Sequence, residues 1–283
     1  MANNSYLSVY AKSFSWAGYF LPKKIYVKCS NLYDFCRTVD NIADDKAEID
    51  IKKSKLLDFK NNFNNQNYND PIIKNMWSLV KEYQISTNIV NDLFDGAESD
   101  LKNKVQIVSK KDLLIYSYRV AGTVGLMMAK ILNVKNKNSL KSAIDLGIAM
   151  QLTNISRDVL EDSKNNRFYI SQNFEEIKET IKTAELFYES SFSSIKEIPL
   201  SFRFSILVAR RVYRKIGHKI LKKKSIEDYN NSGKIYVTNI GKLIQTILSL
   251  YDLIKLSLIK TGDHLRYKEH QIINEEINLN ERL

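Results

Sequence analysis

Apolar residues recur at helical spacing along almost the whole chain. Leu32, Phe35, Cys36, Val39, Ile42 and Ala43 fall on one helix face, and so do Leu243, Ile244, Ile247, Leu248, Tyr251, Ile254 and Leu258. The same period predicts helices near residues 71–84, 86–101, 110–132, 138–163, 175–196 and 200–224. Short polar stretches separate them, such as 61–70, 135–138 and 230–233. No repeat, linker or shift of composition divides the chain. The pattern predicts an all-α, single-domain protein over residues 1–260, followed by a polar, loosely ordered tail over 261–283. The most apolar window, 243–259, contains Gln245, Thr246, Asp252 and Lys255, so it reads as an amphipathic helix and not a membrane span.

Composition agrees with the helical reading. Of 283 residues, 44% are hydrophobic and 11% aromatic, enough to fill a core and far from a disordered chain. Nine Gly and three Pro make about 4% of the chain, against about 12% on average, which leaves few turns for a sheet-rich fold. Cys29 and Cys36 cannot form a disulfide framework and suit a reducing compartment. The opening MANNSYLSVYAKSF lacks the charged start and apolar run of a signal peptide, and a cytoplasmic location is expected. A net charge of +11 fits anionic lipid, a phosphorylated substrate or merely a Lys-, Asn- and Ile-rich composition. No nucleic-acid-binding module accompanies it.

Two segments carry candidate chemistry. In the first, Tyr33, Arg37, Asp40 and Asp44 fall within about 60° of arc, beside the apolar face, while Asp34, Thr38, Asn41 and Asp45 point elsewhere. In the second, Gln151, Asn154, Asp158 and Asp162 form a stripe about 80° wide. With 17 Asp in the chain, about one Asp-x-x-x-Asp pair arises by chance, so neither pair alone excludes a solvated helix face. Their company is more telling: Arg37 precedes the first pair by one turn, amides precede the second, and Arg157 and Arg167 lie close in sequence. Carboxylates across a cleft bind a hard cation such as Mg²⁺, which keeps positions open for phosphate oxygens. Arginine forks complete the neutralisation of phosphate. The ligand expected is a Mg²⁺-bound diphosphate. The absence of a Walker-type Gly-rich loop argues against a nucleotide.

These residues resemble the squalene and phytoene synthases, the trans-isoprenoid head-to-head synthases, over nearly the whole chain. The resemblance runs through Ala11-Lys12-Ser13-Phe14-Ser15-Trp16-Ala17 with Leu21-Pro22, then Leu32-Tyr33-Asp34-Phe35-Cys36-Arg37 into Asp40-x-x-x-Asp44. It continues with Tyr116, Val120-Ala121-Gly122-Thr123-Val124-Gly125, Gln151-Leu152-Thr153-Asn154-Ile155-x-Arg157-Asp158 through Asp162, and Asn166-Arg167-Phe168-Tyr169. Tyr213-Arg214-Lys215-Ile216-Gly217 is similar to the bacterial phytoene synthase branch. The resemblance implies an isoprenoid-synthase helical bundle around a central active-site cavity. It implies that Asp40, Asp44, Asn154, Asp158 and Asp162 carry Mg²⁺, with Mn²⁺ as a substitute. It also implies that Ser13, Phe14, Tyr33, Arg37, Tyr116, Gln151, Arg157, Arg167, Tyr169 and Tyr213 line the diphosphate and cation region. Where relatives carry a late Arg, this chain has Lys234, with Lys242 further on; lysine keeps the charge and loses the fork.

The reaction so implied joins two prenyl diphosphates head to head through a cyclopropyl diphosphate intermediate. The donor expected is geranylgeranyl diphosphate and the product phytoene, a step of carotenoid biosynthesis with no NADPH. Gly18 and Ser30 are expected to leave the cavity floor open, so that Gly18→Phe would favour farnesyl diphosphate. The alternatives are a thirty-carbon synthase making squalene, presqualene diphosphate or dehydrosqualene, a head-to-tail prenyltransferase or terpene cyclase on the same fold, and a non-catalytic scaffolding relative. Expected partners are the prenyl diphosphates and, peripherally, the inner membrane face. Gly122 and Gly125 suit either close helix packing or the shaping of a channel. Cys36 reads as a buried apolar residue, and His218, His264 and His270 as surface residues.

Overall fold

The computed structural model describes residues 12–259 and 267–283, with side chains in the first helix from Ser15 onward. Helices dominate it. The chain opens with α1 (Lys12–Gly18) and α2 (Lys23–Asp44), the latter entered through Pro22, whose fixed φ suits a helix start. Next come α3 (Ile49–Asn64), α4 (Pro71–Tyr83) and α5 (Thr87–Ser99). Asp70 caps α4 by accepting from the backbone N–H of Ile72 and Ile73, and Gln84 ends it in the left-handed conformation. Helix α6 (Lys110–Ser117), capped by Ser109, runs through a π-helical turn, Tyr118–Gly122, directly into α7 (Thr123–Ile131). The longest helix, α8 (Lys137–Lys164), starts on an Asn136 cap and packs on α7, α9 (Phe174–Phe192), α10 (Leu200–Leu221) and the π-turn. After α10 come α11 (Ile226–Asn231), α12 (Asn239–Leu258) and α13 (Lys268–Glu276).

The predicted helices are all present, and α3 joins them. Its polar composition conceals Leu56, Phe59 and Phe63, which are buried against Phe35 and Phe94. Trp77 stacks on Phe63 at 5.1 Å and donates its indole N–H to the Phe63 carbonyl, so that α3 and α4 close one side of the core. The only sheet among the described residues is a two-residue parallel pair, β1 (Val105–Gln106) with β2 (Arg167–Phe168).

Three features depart from the sequence expectation. The C-terminal segment from Lys268 is docked, not loose: Lys110 pairs with Glu269 at 2.7 Å and Lys111 with Glu276 at 3.0 Å, and Ile273 is buried. His270 is correspondingly buried instead of on the surface, with Nε2 3.1 Å from the Asp145 carboxylate, which also accepts from the Ser190 hydroxyl. His218 does sit partly exposed beside Glu185, and His264 lies outside the described residues. The third departure is α12. Its apolar side chains Ile240, Leu243, Ile244, Ile247, Leu248, Leu250, Tyr251, Ile254 and Leu258 are 41–81% exposed, while Lys242, Gln245, Ser249, Asp252 and Leu256 are buried. The amphipathic pattern was legible; its orientation is inverted.

The glycines on α7 and α8 serve close packing. A Cβ on Gly125 would lie 2.2 Å from the Ala143 carbonyl oxygen, and one on Gly147 would lie 2.2 Å from the Ala121 carbonyl oxygen. Only a residue without a side chain lets the two backbones approach this closely.

Candidate active site

A cavity runs between α2, α7, α8 and α10. On α2 its wall is a ladder at spacings of three and four: Tyr26, Cys29, Tyr33, Cys36 with Arg37, and Asp40. At 1.5 Å per residue the ladder is about 21 Å long from Tyr26 to Asp40. Its Asp40 end is polar, finished by Arg37, Gln151 and Asn154; Leu21, Leu132, Ile195 and Ile198 line it elsewhere. The π-turn supplies Val120 and Ala121 to the wall, the extra residue re-aiming the chain where α6 becomes α7.

Both carboxylate pairs lie at helix ends. Asp40 and Asp44 close α2, and Asp158 and Asp162 fall in the last two turns of α8. Arg167 bridges towards both. Its guanidinium donates to the Asp44 carboxylate at 2.6 Å and to the Ala43 carbonyl at 3.2 Å, and its charge is felt by Asp40, Asp100 and Asp162. The β1–β2 pairing fixes this residue, because Val105 and Arg167 are partners in the register. Arg37 reaches Asp44 at 3.9 Å. Arg157 clasps its neighbour Asp158 with both nitrogens, at 2.8 and 2.5 Å.

Burial pushes the Asp40 and Asp162 carboxyls up to about 7, each helped by the other acid of its pair and opposed by arginine. Asp40 is partly accessible, yet that access is to the cavity and not to bulk solvent. Tyr213, buried on α10, is raised to about 12 by burial; Arg157 works against that shift and Asp158 with it. Lys234, with the single point of charge that lysine offers, lies 3.4 Å from Asp158 and 2.6 Å from Glu161. Lys242, the later lysine, is buried on the inward face of α12, its ammonium 5.8 Å from the Trp16 ring centre.

Tyr116 and Tyr169, expected along the diphosphate and cation region, are not among the cavity's lining residues but meet each other. Their rings stack at 4.7 Å, and both hydroxyls donate to Asp100, at 2.8 and 2.9 Å. Asp100 was missed. Its signal was weak: like Asp92, it is an acid at the buried side of the apolar α5, where a carboxylate needs partners. Burial raises its pKa, against Arg167 and the two tyrosine hydroxyls. Asp92 accepts from the Tyr118 hydroxyl and from both arms of Arg282, bracing the π-turn from behind.

Other expected positions fall as follows. Cys36 is buried, and Asp45 turns away to Lys55 at 2.7 Å. The side chains of Ser13 and Phe14 lie outside the described residues. Gly18 lies on the cavity, but a Cβ there would meet the Tyr26 ring at 2.6 Å, so Tyr26 already fills the space a larger residue would claim. Ser30 is buried beside the cavity and is not among its lining residues.

The donor set suits a hard cation. Among the described residues no three acid, histidine or cysteine side chains converge on one point, since Asp44, Asp158 and their neighbours are turned onto arginine and lysine. Mg²⁺ needs only one or two carboxylates, because phosphate oxygens and water fill the remaining positions. Asn154 supplies a further sign: its Oδ1 is buried at the cavity end with no hydrogen-bond partner, an oxygen one turn before Asp158.

The helical bundle, the polar cavity end at Arg37, Asp40 and Asn154 and the apolar wall leading away from it suit an enzyme whose substrate has a polar head and an apolar tail. Residues 7–176 match the squalene/phytoene synthase family, and the chain belongs to that family as a prenyltransferase. It is 27% identical over 247 residues to the 15-cis-phytoene synthase of Pantoea ananas, covering 76% of this chain and 80% of that one. With the phytoene synthase of Cereibacter sphaeroides it shares 27% over 241 residues, 74% and 68% of the two chains. A dehydrosqualene synthase structure superposes with a TM-score of 0.71 at 26% identity, covering 88% of this chain and 94% of that one. A squalene synthase from Alicyclobacillus acidocaldarius gives 0.66 at 16% identity, over 78% and 90%, and shares the fold. These relatives support head-to-head condensation of prenyl diphosphates as the chemistry of the chain.

Proposed function

We propose that the chain condenses two geranylgeranyl diphosphates to phytoene, releasing diphosphate, through a cyclopropyl diphosphate intermediate. The observation that carries the chain length is the α2 ladder, whose roughly 21 Å from Asp40 to Tyr26 matches four isoprene units laid end to end. The phytoene synthases among its relatives support the same donor.

Asp40 and Asp44 on one side, with Asn154, Asp158 and Asp162 on the other, would hold Mg²⁺ or Mn²⁺, which when bound draws charge from the departing diphosphate. Arg37, Arg157 and Arg167 sit at the same end, where their forks exchange carboxylate for phosphate oxygens. The allylic cation left behind lies against the rings of Tyr33 and its neighbours, which steady positive charge by their faces. The apolar wall keeps out water that would trap the cation as an alcohol. The double bond of the second donor attacks the reacting carbon of that cation, and loss of a proton from the same carbon closes the cyclopropane, leaving an intermediate that retains one diphosphate for a second ionisation at the same arginines. Loss of a proton from the final cation gives phytoene and needs no reductant.

Incubation with geranylgeranyl diphosphate and Mg²⁺ alone is expected to yield a forty-carbon hydrocarbon by mass spectrometry. Faster turnover of farnesyl diphosphate, with or without NADPH, would overturn the assignment. That thirty-carbon reading draws on the likeness to the dehydrosqualene synthase structure. The cavity wall offers a second test. Cys29 faces the cavity about 16 Å along α2 from Asp40, so Cys29→Phe closes its far part. The ratio of farnesyl to geranylgeranyl turnover is expected to rise at least about tenfold, in line with pocket discrimination by bulk. An unchanged ratio in competition assays contradicts the length assignment.

A further inference from the structure

Helix α12 is built inside out. Its inward face is secured by polar contacts: Arg211 grips Asp252 with two nitrogens, at 2.5 and 2.7 Å, and the Trp16 indole donates to Thr246 at 3.0 Å. Its outward face presents isoleucine, leucine and tyrosine over the full helix, about 30 Å long. Scattered apolar residues on a surface are ordinary; a continuous apolar face over five turns marks a docking surface.

We propose that α12 docks on a lipid bilayer rich in anionic lipid, lying in the plane of the interface with its apolar face among the acyl chains. Charge selects this occupant. Residues 200–259 hold twelve Lys and Arg against three Asp and Glu; of the twelve, Arg210 and Lys242 are buried and Lys234 is held by Asp158 and Glu161. Lys255 stands exposed at the edge of the apolar face, and Lys215 and Lys219 run alongside on α10. The nearby acids Asp252 and Glu189 are already paired with Arg211 and Arg214. This combination of apolar face and basic flank is that of a surface-lying amphipathic helix. A second copy seated here would bring two basic flanks together. Residues 1–11 offer only Tyr6, Leu7, Val9 and Tyr10 as large apolar side chains beyond Met1, too few to cover the nine on α12.

The cavity is tied to the same helix. The turn that gives it Ser194, Ile195 and Ile198 also carries Lys196, whose ammonium donates to the Ile259 carbonyl at 2.8 Å, just past the end of α12. No helix among the described residues is long and apolar enough to cross a membrane, so the contact is peripheral.

Flotation with vesicles of phosphatidylcholine plus phosphatidylglycerol, against phosphatidylcholine alone, tests the docking independently of turnover. The protein is expected to float with the anionic vesicles and much less with the neutral ones. The double variant Ile247→Glu with Ile254→Glu is expected to lower that partition at least about tenfold, because two charges enter the apolar face. Its melting temperature and its turnover of detergent-dispersed donor should stay unchanged. A Tyr251→Trp reporter is expected to shift its emission to the blue on adding the anionic vesicles. Absence of flotation, or flotation unaffected by the double variant, overturns the proposal. So does a dimer that the double variant splits while vesicle binding is missing, or vesicle binding that appears only after deletion of residues 1–11.

Discussion

Asp158→Asn is expected to reduce turnover about a thousandfold while leaving the helical content and melting temperature nearly intact. The side chain keeps its size and one oxygen, so the clasp by Arg157 is weakened rather than replaced by a void. What disappears is one negative charge beside Asp162, Lys234 and the orphaned Asn154 oxygen. If the acids grip the cation that grips the diphosphate, the loss falls mainly on kcat, since charge develops most strongly as the diphosphate departs. Steady-state kinetics over a range of Mg²⁺ concentrations would measure it. Undiminished activity at saturating Mg²⁺ would remove Asp158 from the metal assignment.

Gly147→Ala is expected to destabilise the protein by about 3 kcal/mol, although alanine is the better helix former by about 1 kcal/mol. The sign follows from geometry: the new Cβ would lie 2.2 Å from the Ala121 oxygen and 2.7 Å from its carbonyl carbon, with backbone as the obstacle. No side-chain rotation relieves that clash, so α8 and the π-turn must separate. The melting temperature should fall by roughly 5–10 °C. Because Ala121 lines the cavity, activity should decline too, and a variant as stable as the parent would show that the two helices part without cost.

Much of this was legible in the sequence because local periodicity carried it. The stripes on α2 and α8 are geometric consequences of spacing within single helices; Tyr33, Arg37 and Asp40 of the first and Gln151 and Asn154 of the second line the cavity, while the charge of Arg167 reaches both Asp40 and Asp162. What stayed hidden depends on which neighbour a face meets. Helix α3 escaped notice because Lys60, Asn61 and Asn62 separate Phe59 from Phe63, and Leu57, an exposed leucine beside Asp58, blurs the stripe after Leu56. On α12 the apolar stripe was plain, yet sequence carries no sign of whether such a stripe faces core or surroundings; Asp252, held by Arg211 of the basic α10, fixes which side turns inward. His270 and Asp100 draw their roles from partners distant in sequence, Asp145 in one case and two tyrosines in the other. The floor at Gly18 was misjudged for the same reason, since Tyr26 occupies the space that its missing side chain leaves.

The acid pairs also share a backbone setting. Both long helices, α2 and α8, end where their carboxylates stand, so the carbonyl ends of two peptide dipoles converge on the same place. Each contributes about half a negative charge there, and α2 has no basic residue in its last turn to offset it. These carbonyl ends add to the negative charge that Arg37, Arg157, Arg167 and Lys234 offset, so a doubly charged cation placed there would be stabilised by backbone as well as by carboxylate.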